Sequence, residues 1–436
     1  MRERVWQVAS FGTFDVENYG DMLFPLIAEA ELAKRLGSVK LHRFSYNAKE
    51  PPGWPYTVTS VTELPEVAGR LDGVLIGGGS IIRFDKEIAP GYGPSTPMIH
   101  HPTGYWLTPA LIALQHGIPL IWNSPGMHGD NIPPWADTLM EQALGNSRYI
   151  AVRDKLSQAV LARFVGESRV AVVPDTAFGI SRLIDERRAS AELCRLREAS
   201  GLADPYIIIQ AITGLDPFLR LIKNHSQLFR DFRFLVLPIG PVLGDHESIL
   251  GDDLPGLVRL PAWPPPLLLA ELISRAAAVV GHSYHLAVTA LAFGVPVFTS
   301  ADLSFWKYTA LSDFETIFSL PKETDIDPQW FIARLGKRCP SQAACAALDQ
   351  LAHHWNRIAT ILREGAAATQ PALNRFWQSL PNLLEAADEQ GKLLAQARAE
   401  IVARDERIRT LYNSPSMRVT APLRFLIRNL KRLVGK

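Results

Sequence analysis

The segment Gly281-His-Ser-Tyr-His285-Leu-Ala-Val-Thr-Ala-Leu-Ala-Phe-Gly294-Val-Pro296-Val-Phe298 carries the clearest indication of the fold. The apolar residues 277–280 before it predict a buried strand, and the small and apolar residues after His285 predict a helix that packs tightly on a sheet. Gly294 ends that helix, and the chain continues into a second strand after Pro296. A strand, a turn, a helix and another strand in this order are typical of an open parallel sheet.

Two histidines, His282 and His285, lie in the turn between the strand and the helix. Ligands of open parallel sheets bind at this edge, and the N-terminus of a helix there favours an anion. Because an imidazole titrates near neutral pH, His285 is the candidate general acid or base, and the alternative is a histidine satisfied within the core. The sequence offers no third ligand near these two histidines, so it predicts no metal site. His100, His101 and His128 lie in loops and are more simply explained as exposed.

Length and composition describe a folded protein of more than one domain. At 436 residues the chain is too long for one ordinary core and suits two domains with additional segments. Its hydrophobic content of 47% and charged content of 20% are those of globular proteins. The net charge of +1 gives no general attraction to nucleic acid.

Cysteine usage and the lack of long apolar runs indicate a cytoplasmic location. Cys194, Cys339 and Cys345 do not have the spacing of a disulfide framework or a zinc site, which fits a reducing compartment. The N-terminal residues lack the apolar run of a signal peptide. The sequence contains no stretch of about 18 or more apolar residues, so we expect no segment to span a bilayer.

Strands and helices alternate in two successive sets. The first set runs through residues 5–180, and the second begins with the strand Tyr206-Ile-Ile-Ile-Gln210. The polar residues 181–204 between them are interpreted as a helical crossover. We therefore predict an α/β protein with two Rossmann-like, doubly wound domains that face a cleft, residues 1–185 and residues 186–375.

The remaining residues, 376–436, predict a helical tail. Leu394, Ile401 and Ile408 repeat every seven residues within a charged helix, which indicates a short coiled coil and self-association into a homo-oligomer. From Met417 onward the chain carries basic residues without acids, interleaved with apolar ones. Such a basic amphipathic helix can lie on an anionic membrane surface, or it can pack against protein.

Two loops rich in glycine follow predicted strands. The first contains Asn18, Gly20 and Asp21, and its polar residues can cap the helix that follows. The second is Gly77-Gly78-Gly79, which lets a backbone run close under a ligand. Each loop is also explained as a tight connection between elements. Neither matches a Walker A loop or a dinucleotide fingerprint, which argues against ordinary ATP or NAD sites.

Two charged residues also follow predicted strands. Arg153 offers a planar guanidinium that suits a carboxylate or phosphate, and the alternative is a structural pair with an aspartate. Asp175 can orient a sugar hydroxyl, or it can cap a helix.

Together these residues resemble the polysaccharide pyruvyl transferase family. The motifs occur in family order between residues 11 and 298. They are Asn18-Tyr19-Gly20-Asp21, Gly77-Gly78-Gly79, Arg153-Asp154-x-x-Ser157, Pro174-Asp175, and Ser283-x-His285 followed by Ala290 and Gly294-x-Pro296. The resemblance implies a fold similar to B-type glycosyltransferases. It also implies the transfer of a pyruvyl group from phosphoenolpyruvate to a sugar, with formation of a ketal.

The resemblance implies a role for each motif. His285 would protonate phosphoenolpyruvate, Arg153 and the backbone N–H groups of the glycine loops would hold the donor's anionic groups, and Asp175 would orient the acceptor. No metal or redox cofactor is implied. The residues expected to bind substrate are Asn18, Gly20, Asp21, Gly77, Gly78, Gly79, Arg153, Asp175, His282 and Ser283.

The position of Ser283 departs from the family pattern. Many members carry arginine two residues before the histidine, and this chain carries an uncharged residue. Arg153 or another basic residue would therefore have to hold the phosphate or carboxylate of the donor.

A segment of the tail carries a second resemblance. Residues 411–424, Leu-Tyr-Asn-Ser-Pro-Ser-Met-Arg-Val-Thr-Ala-Pro-Leu-Arg, are similar to a C-terminal segment of bacterial glycosyltransferases that build surface polysaccharides. This resemblance implies the same surface-polysaccharide pathway, with a glycan as acceptor. We hypothesise that the tail docks at the inner face of the membrane near a lipid-linked acceptor. Two alternatives stay open for the whole chain: a nucleotide-sugar glycosyltransferase on the same fold, and a binding subunit without catalysis.

Overall fold

The computed structural model describes residues 4–84, 92, 102–130, 132–247, 250–251, 254–339, 341–365 and 370–420. Its contacts divide the chain into two compact units. The first comprises Met1–Pro133 and Leu139–Leu373, and it contains both sheets described below. The second comprises Pro134–Thr138 and Asn374–Lys436.

The first sheet has seven parallel strands in the order β3-β2-β1-β4-β5-β6-β7. The strands are β1 (Trp6–Phe11), β2 (Val39–Ser45), β3 (Thr59–Ser60), β4 (Gly73–Ile76), β5 (Leu120–Asn123), β6 (Tyr149–Val152) and β7 (Val170–Val172). The helices of this half are α1 (Tyr19–Leu36), α2 (Leu64–Val67), α3 (Leu107–His116), α4 (Asp137–Gly145) and α5 (Lys155–Val165).

The second sheet has six parallel strands in the order β10-β9-β8-β11-β12-β13. The strands are β8 (Tyr206–Gln210), β9 (Arg233–Leu237), β10 (Leu257–Arg259), β11 (Ala278–Gly281), β12 (Val297–Thr299) and β13 (Ile317–Ser319). The helices that follow the first half are α6 (Ala191–Ser200), α7 (Asp216–Asn224), α8 (Pro266–Arg275), α9 (Tyr284–Ala292), α10 (Pro328–Ile332) and α11 (Gln342–Glu364).

The strand order of both sheets is that of Rossmann-type folds, which confirms the predicted fold class. In each sheet the order reverses once, between β1 and β4 in the first and between β8 and β11 in the second. The central strands β4 and β8 are buried along their whole length, as expected for parallel strands covered on both faces. Ligands of such sheets bind at the carboxyl ends of the strands beside the reversal.

The two halves are joined by direct contacts around the start of α1. The Tyr19 backbone N–H donates to the carbonyl of Ile239 at 2.9 Å, and the Tyr19 hydroxyl lies 2.9 Å from the Thr289 hydroxyl on α9. These bonds bring the carboxyl ends of the two sheets towards one another.

The predicted helical crossover at residues 181–204 is only partly helical. A 3-10 helix, Thr176–Arg182, precedes an irregular stretch, and the α-helix α6 begins at Ala191. The Asp185 carboxylate accepts the N–H of Arg187, and such local side-chain bonds compete with helix formation.

Helix α11 was not foreseen, and it returns the chain to the first sheet. The Arg35 guanidinium donates to the Asn356 side chain at 2.7 Å, and the His354 ring lies 2.8 Å from the Asn123 side-chain oxygen at the end of β5. These contacts place α11 beside the first sheet. The boundaries between residues 1–185, 186–375 and 376–436 stay a prediction.

The second unit contains most of α12 (Gln370–Asn413) and all of α13 (Pro415–Val419), so a helical C-terminal region is present. Leu394, Ile401 and Ile408 are all exposed, and the coiled coil stays a prediction. The basic end that starts near Met417 lies largely outside the described residues, which stop at residue 420. None of the helices in the described part of the chain combines the length and apolar character of a membrane span.

Candidate functional site

A cavity of about 470 Å³ opens among loops that follow strands of both sheets. Its volume is in the usual range for small-molecule sites. The residues that line it are Thr13, Asn18, Asp21, Tyr46, Gly79, Ser80, Ile81, Arg83, Tyr92, Tyr105, His128, Arg153, Gln210, Ile212, Gly240, Leu243, Asp245, His282, Ser283, Tyr284, His285, Trp306, Lys307 and Tyr308.

The first loop contributes a chain of polar side chains. The Asn18 amide donates to the Tyr92 hydroxyl at 2.7 Å, and that hydroxyl donates to the Asp21 carboxyl at 3.1 Å. Asn18 makes no side-chain cap on α1, so the capping interpretation of this residue was wrong. Burial raises the pKa of Asp21, against the opposing effects of His285 and nearby hydroxyls.

The predicted glycines mainly make room for their neighbours. A Cβ on Gly20 would lie 1.8 Å from Nδ1 of His285, so only glycine lets this ring rest on the first turn of α1. A Cβ on Gly77 would lie 2.3 Å from a backbone oxygen of β5, and Gly78 has a positive φ of 93°. Of these glycines, Gly79 lines the cavity, whereas Gly20, Gly77 and Gly78 lie behind its wall.

Arg153 lines the cavity with a side chain that is already engaged. One nitrogen donates to Asp175 at 3.1 Å, a second donates to the Ser80 hydroxyl, and the third lies 3.8 Å from Asp154. The guanidinium also stacks over the Tyr284 ring at 5.1 Å. Arg153 is 3% exposed, and its charge is balanced by carboxylates. The structure therefore brings Arg153 to the cavity in the geometry of a structural ion pair.

His285 lies between the cavity and a buried carboxylate. Its Nε2 is 3.7 Å from the Asp175 carboxylate and has no hydrogen-bond partner among the described residues. The ring packs edge-on against Phe24 at 5.4 Å. Burial alone would raise the pKa of Asp175, but His285 and Arg153 outweigh it and lower that pKa to about 2. An ionised carboxylate therefore lies behind the imidazole.

Asp175 is not a lining residue, because it is 2% exposed and is enclosed by Arg153, His285 and the N–H of Ala177. The expectation that it orients a sugar hydroxyl does not fit this position. A carboxylate that faces a histidine positions the ring and attracts its positive form.

The turn before α9 is held by Gln210 at the end of β8. The Gln210 side-chain oxygen accepts the backbone N–H groups of His282 and Ser283, both at 2.7 Å, and its amide donates to Asp245 at 2.8 Å. The Ser283 hydroxyl caps α9 through the N–H of Leu286. These two N–H groups of the turn are thus occupied and are not open to an anion. His282 faces the cavity, where burial and then Lys307 lower its pKa.

Sequence reasoning missed Lys307, which lines the cavity from the second half. It lies in the 3-10 helix Trp306–Leu311, with its ammonium 5.3 to 5.6 Å from the rings of Tyr284, Trp306 and Tyr308. Burial lowers the pKa of Lys307 to about 8, and Arg153 adds to this effect. The signal in the sequence was a lysine between two aromatic residues after a strand.

The structure thus brings seven of the predicted site residues to one cavity: Asn18, Asp21, Gly79, Arg153, His282, Ser283 and His285. His128 also lines it, with its ring 5.0 Å from the Trp306 ring. His100 and His101 lie outside the described residues. Among the residues that the structure describes, no group of three or more His, Cys, Asp or Glu side chains is arranged to hold a metal ion.

Two doubly wound parallel sheets with a polar cavity beside both strand-order reversals define a protein of the Rossmann-like α/β class. The sequence model of the family described as polysaccharide pyruvyl transferase matches residues 18–301. The chain belongs to this family, which confirms the resemblance, and it is a transferase that modifies polysaccharides.

The chain is similar to solved structures at low sequence identity. UDP-GlcNAc 2-epimerase from Methanocaldococcus jannaschii has a TM-score of 0.53 at 13% identity, over 83% of this chain and 99% of that chain. UDP-GlcNAc 2-epimerase from Neisseria meningitidis has a TM-score of 0.46 at 14% identity, over 87% of this chain and 99% of that chain. The first likeness supports the predicted similarity to B-type glycosyltransferases and shows the fold alone. No curated protein matches the sequence.

Proposed function

We propose that this protein transfers the pyruvyl group of phosphoenolpyruvate to a sugar of a cell-surface polysaccharide or of its lipid-linked precursor, forming a ketal. Membership of the pyruvyl transferase family supports the class of reaction. The observation that carries the proposal is the arrangement of His285, with a cavity on one side and the Asp175 carboxylate 3.7 Å from Nε2 on the other.

In this proposal His285 is the general acid. Asp175 lies 3.7 Å from Nε2 and orients the ring, and the imidazole, which lines the cavity, delivers a proton to the methylene carbon of the donor. The Asp175 pKa of about 2 keeps that carboxylate ionised at neutral pH, so it stabilises the proton-carrying ring electrostatically.

The reaction then balances without a further reactant. The proton from His285 turns the methylene of phosphoenolpyruvate into a methyl group and makes C2 electrophilic. One sugar hydroxyl forms a C–O bond to C2, and the bond from C2 to the phosphate oxygen breaks. A second hydroxyl of the same sugar closes the ketal. Of the two hydroxyl protons, one restores His285 and the other leaves with inorganic phosphate.

The charge around the cavity supports an anionic donor. Arg83, Arg153 and Lys307 line it, while the Asp245 carboxylate is taken up by Gln210 and by backbone N–H groups of residues 239 and 240. The basic side chains in this lining favour a substrate that carries a phosphate and a carboxylate.

The experiment that tests the proposal follows inorganic phosphate. The protein is incubated with phosphoenolpyruvate and a panel of glycan acceptors, and a parallel set receives sugar nucleotides while nucleoside diphosphate is measured. We expect phosphate release that requires both the donor and an acceptor, and that is abolished by His285→Ala with the fold retained. Release of nucleoside diphosphate would identify a glycosyltransferase instead. Neither product, with no binding of phosphoenolpyruvate, would identify a non-catalytic subunit.

We further propose a cytoplasmic enzyme that works at the inner face of the membrane. The similarity of residues 411–424 to tails of surface-polysaccharide glycosyltransferases supports this location, and the exposed Leu394, Ile401 and Ile408 support self-association through α12.

A further inference from the structure

The cations of the cavity differ in how far they are free to bind a ligand. Arg153 is held by Asp175, Ser80 and Asp154, and Arg83 has an interaction of its own. Lys307 forms neither a hydrogen bond nor an ion pair within the described part of the chain. Its ammonium lies over aromatic rings instead. It is therefore the cation of this lining whose donors are open to a ligand.

The position of Lys307 is fixed by its surroundings. The preceding residue, Trp306, has a φ of 50°, a left-handed conformation that a tryptophan adopts only when its environment requires it. The Tyr308 hydroxyl donates to the backbone carbonyl of His282 at 2.9 Å and ties this short helix to the turn before α9. The backbone strain and the tether hold the ammonium on the wall that also carries His282 and Ser283.

The turn before α9, to which Tyr308 ties the Lys307 segment, carries no lysine or arginine. Ser283 is uncharged, and its hydroxyl caps α9. The N–H groups of His282 and Ser283 are accepted by Gln210. An anionic group that meets this side of the cavity therefore finds one strong donor, the three N–H bonds of the Lys307 ammonium.

We propose that Lys307 binds an oxyanion of the substrate, the phosphate or the carboxylate of phosphoenolpyruvate, from the side of the second sheet. This inference rests on the proposed donor. In this inference Lys307 binds phosphoenolpyruvate, whereas Arg153 positions Asp175 and the wall of the cavity. The partial burial of Lys307 strengthens the interaction, because a charge pair away from bulk water is screened less.

The charged groups around Lys307 agree with this role. Arg153 repels its positive charge, whereas Asp21 and Asp175 attract it, and burial has the largest effect, so that the pKa of Lys307 is lowered to about 8. His282 on the neighbouring turn also feels the ammonium. A lysine in this setting gains more from an anion than an exposed lysine does, since the anion compensates for lost solvation.

The test compares three variants by calorimetric titration with phosphoenolpyruvate and, separately, with inorganic phosphate. Lys307→Met removes the charge at similar length, and Lys307→Arg keeps it. The control is Lys337→Met, an exposed lysine outside the lining. We expect Lys307→Met to weaken binding of phosphoenolpyruvate by about tenfold to a hundredfold, the range for a hydrogen bond to a charged group. Lys307→Arg should restore most of the affinity, and Lys337→Met should bind normally.

Each outcome bears on the inference. If the wild-type protein binds phosphoenolpyruvate and Lys307→Met binds it equally well, Lys307 is not the anion ligand, and the proposed function stands. If the wild type binds phosphate but not phosphoenolpyruvate, the proposed donor is wrong, and loss of phosphate binding in Lys307→Met still supports the anion site. If the wild type binds neither probe, both proposals fail. Melting temperatures show whether a variant has merely lost its fold.

Discussion

Substituting Gly20 with alanine tests the placement of His285 through a single methyl group. The added Cβ would lie 1.8 Å from Nδ1 of His285, whereas ordinary van der Waals contact begins at 3.4 Å. The imidazole must therefore move by roughly 1.6 Å, the difference between these distances, or α1 must shift by a similar amount. A misplacement of about 1 Å at a reacting group can cost about a hundredfold in rate.

The effect on stability should be much smaller than the effect on rate. Gly20 lies in α1, where alanine is favoured over glycine by about 1 kcal/mol, and this offsets part of an overpacking cost of about 1 to 3 kcal/mol. We expect Gly20→Ala to fold and melt near the wild-type temperature. Its kcat/KM for phosphate release from phosphoenolpyruvate should fall by about a hundredfold or more.

A matched control is available in Gly69, where an added Cβ meets nothing within 4 Å. Gly69→Ala should keep both activity and stability. If Gly20→Ala turned over at the wild-type rate in the same assay, the ring of His285 would not need its observed position. The proposed general acid would then be wrong.

Three further measurements test other parts of the structure. Because the pKa of Lys307 is lowered to about 8 and its charged form is the one that binds, kcat/KM for phosphoenolpyruvate should fall as the pH rises through about 8. Lys307→Arg should move that decline to higher pH, and an unchanged profile would contradict a role for Lys307. Burial lowers the pKa of His354 to about 3. Below about pH 6.5 this histidine is therefore protonated in the unfolded chain, whereas it stays neutral in the folded chain. This group should therefore lower the free energy of unfolding by about 2 kcal/mol at pH 5 relative to pH 7. Denaturant titrations at the two pH values should show that His354→Gln loses less stability than the wild type, by this amount. Deleting residues from Glu385 onward should abolish recovery in the membrane fraction and leave phosphate release in solution, and unchanged recovery would refute docking through the tail.

The local elements of the fold could be predicted from the sequence because short-range patterns determine them. The strand β11, the helix α9 and the strand β12 lie where the apolar runs around Gly281 and Gly294 predict them. The strand β8, with three consecutive isoleucines, was predicted with its observed bounds. The short strand β13 and the helix α11 were missed, and three-residue strands such as β13 carry little periodic signal.

The residues of the candidate site could be predicted by type more readily than by role. His285 and Asp175 were both expected at strand ends, and both lie there. Their pairing at 3.7 Å could not be predicted, because 110 residues separate them in the chain and only the approach of α9 to the 3-10 helix Thr176–Arg182 brings them together. The same approach removes Asp175 from the cavity wall.

Two doubly wound parallel sheets, with polar motifs after their strands, could be predicted from local sequence alone, since apolar runs and glycine turns act over a few neighbouring residues. Which charged side chains are paired within the protein, and which stay available to a ligand, depends on how distant segments pack. Arg153 donates its hydrogen bonds to Asp175 and Ser80, whereas the N–H donors of Lys307 stay available to a ligand. Such partners come from distant segments, so they meet only in the folded chain.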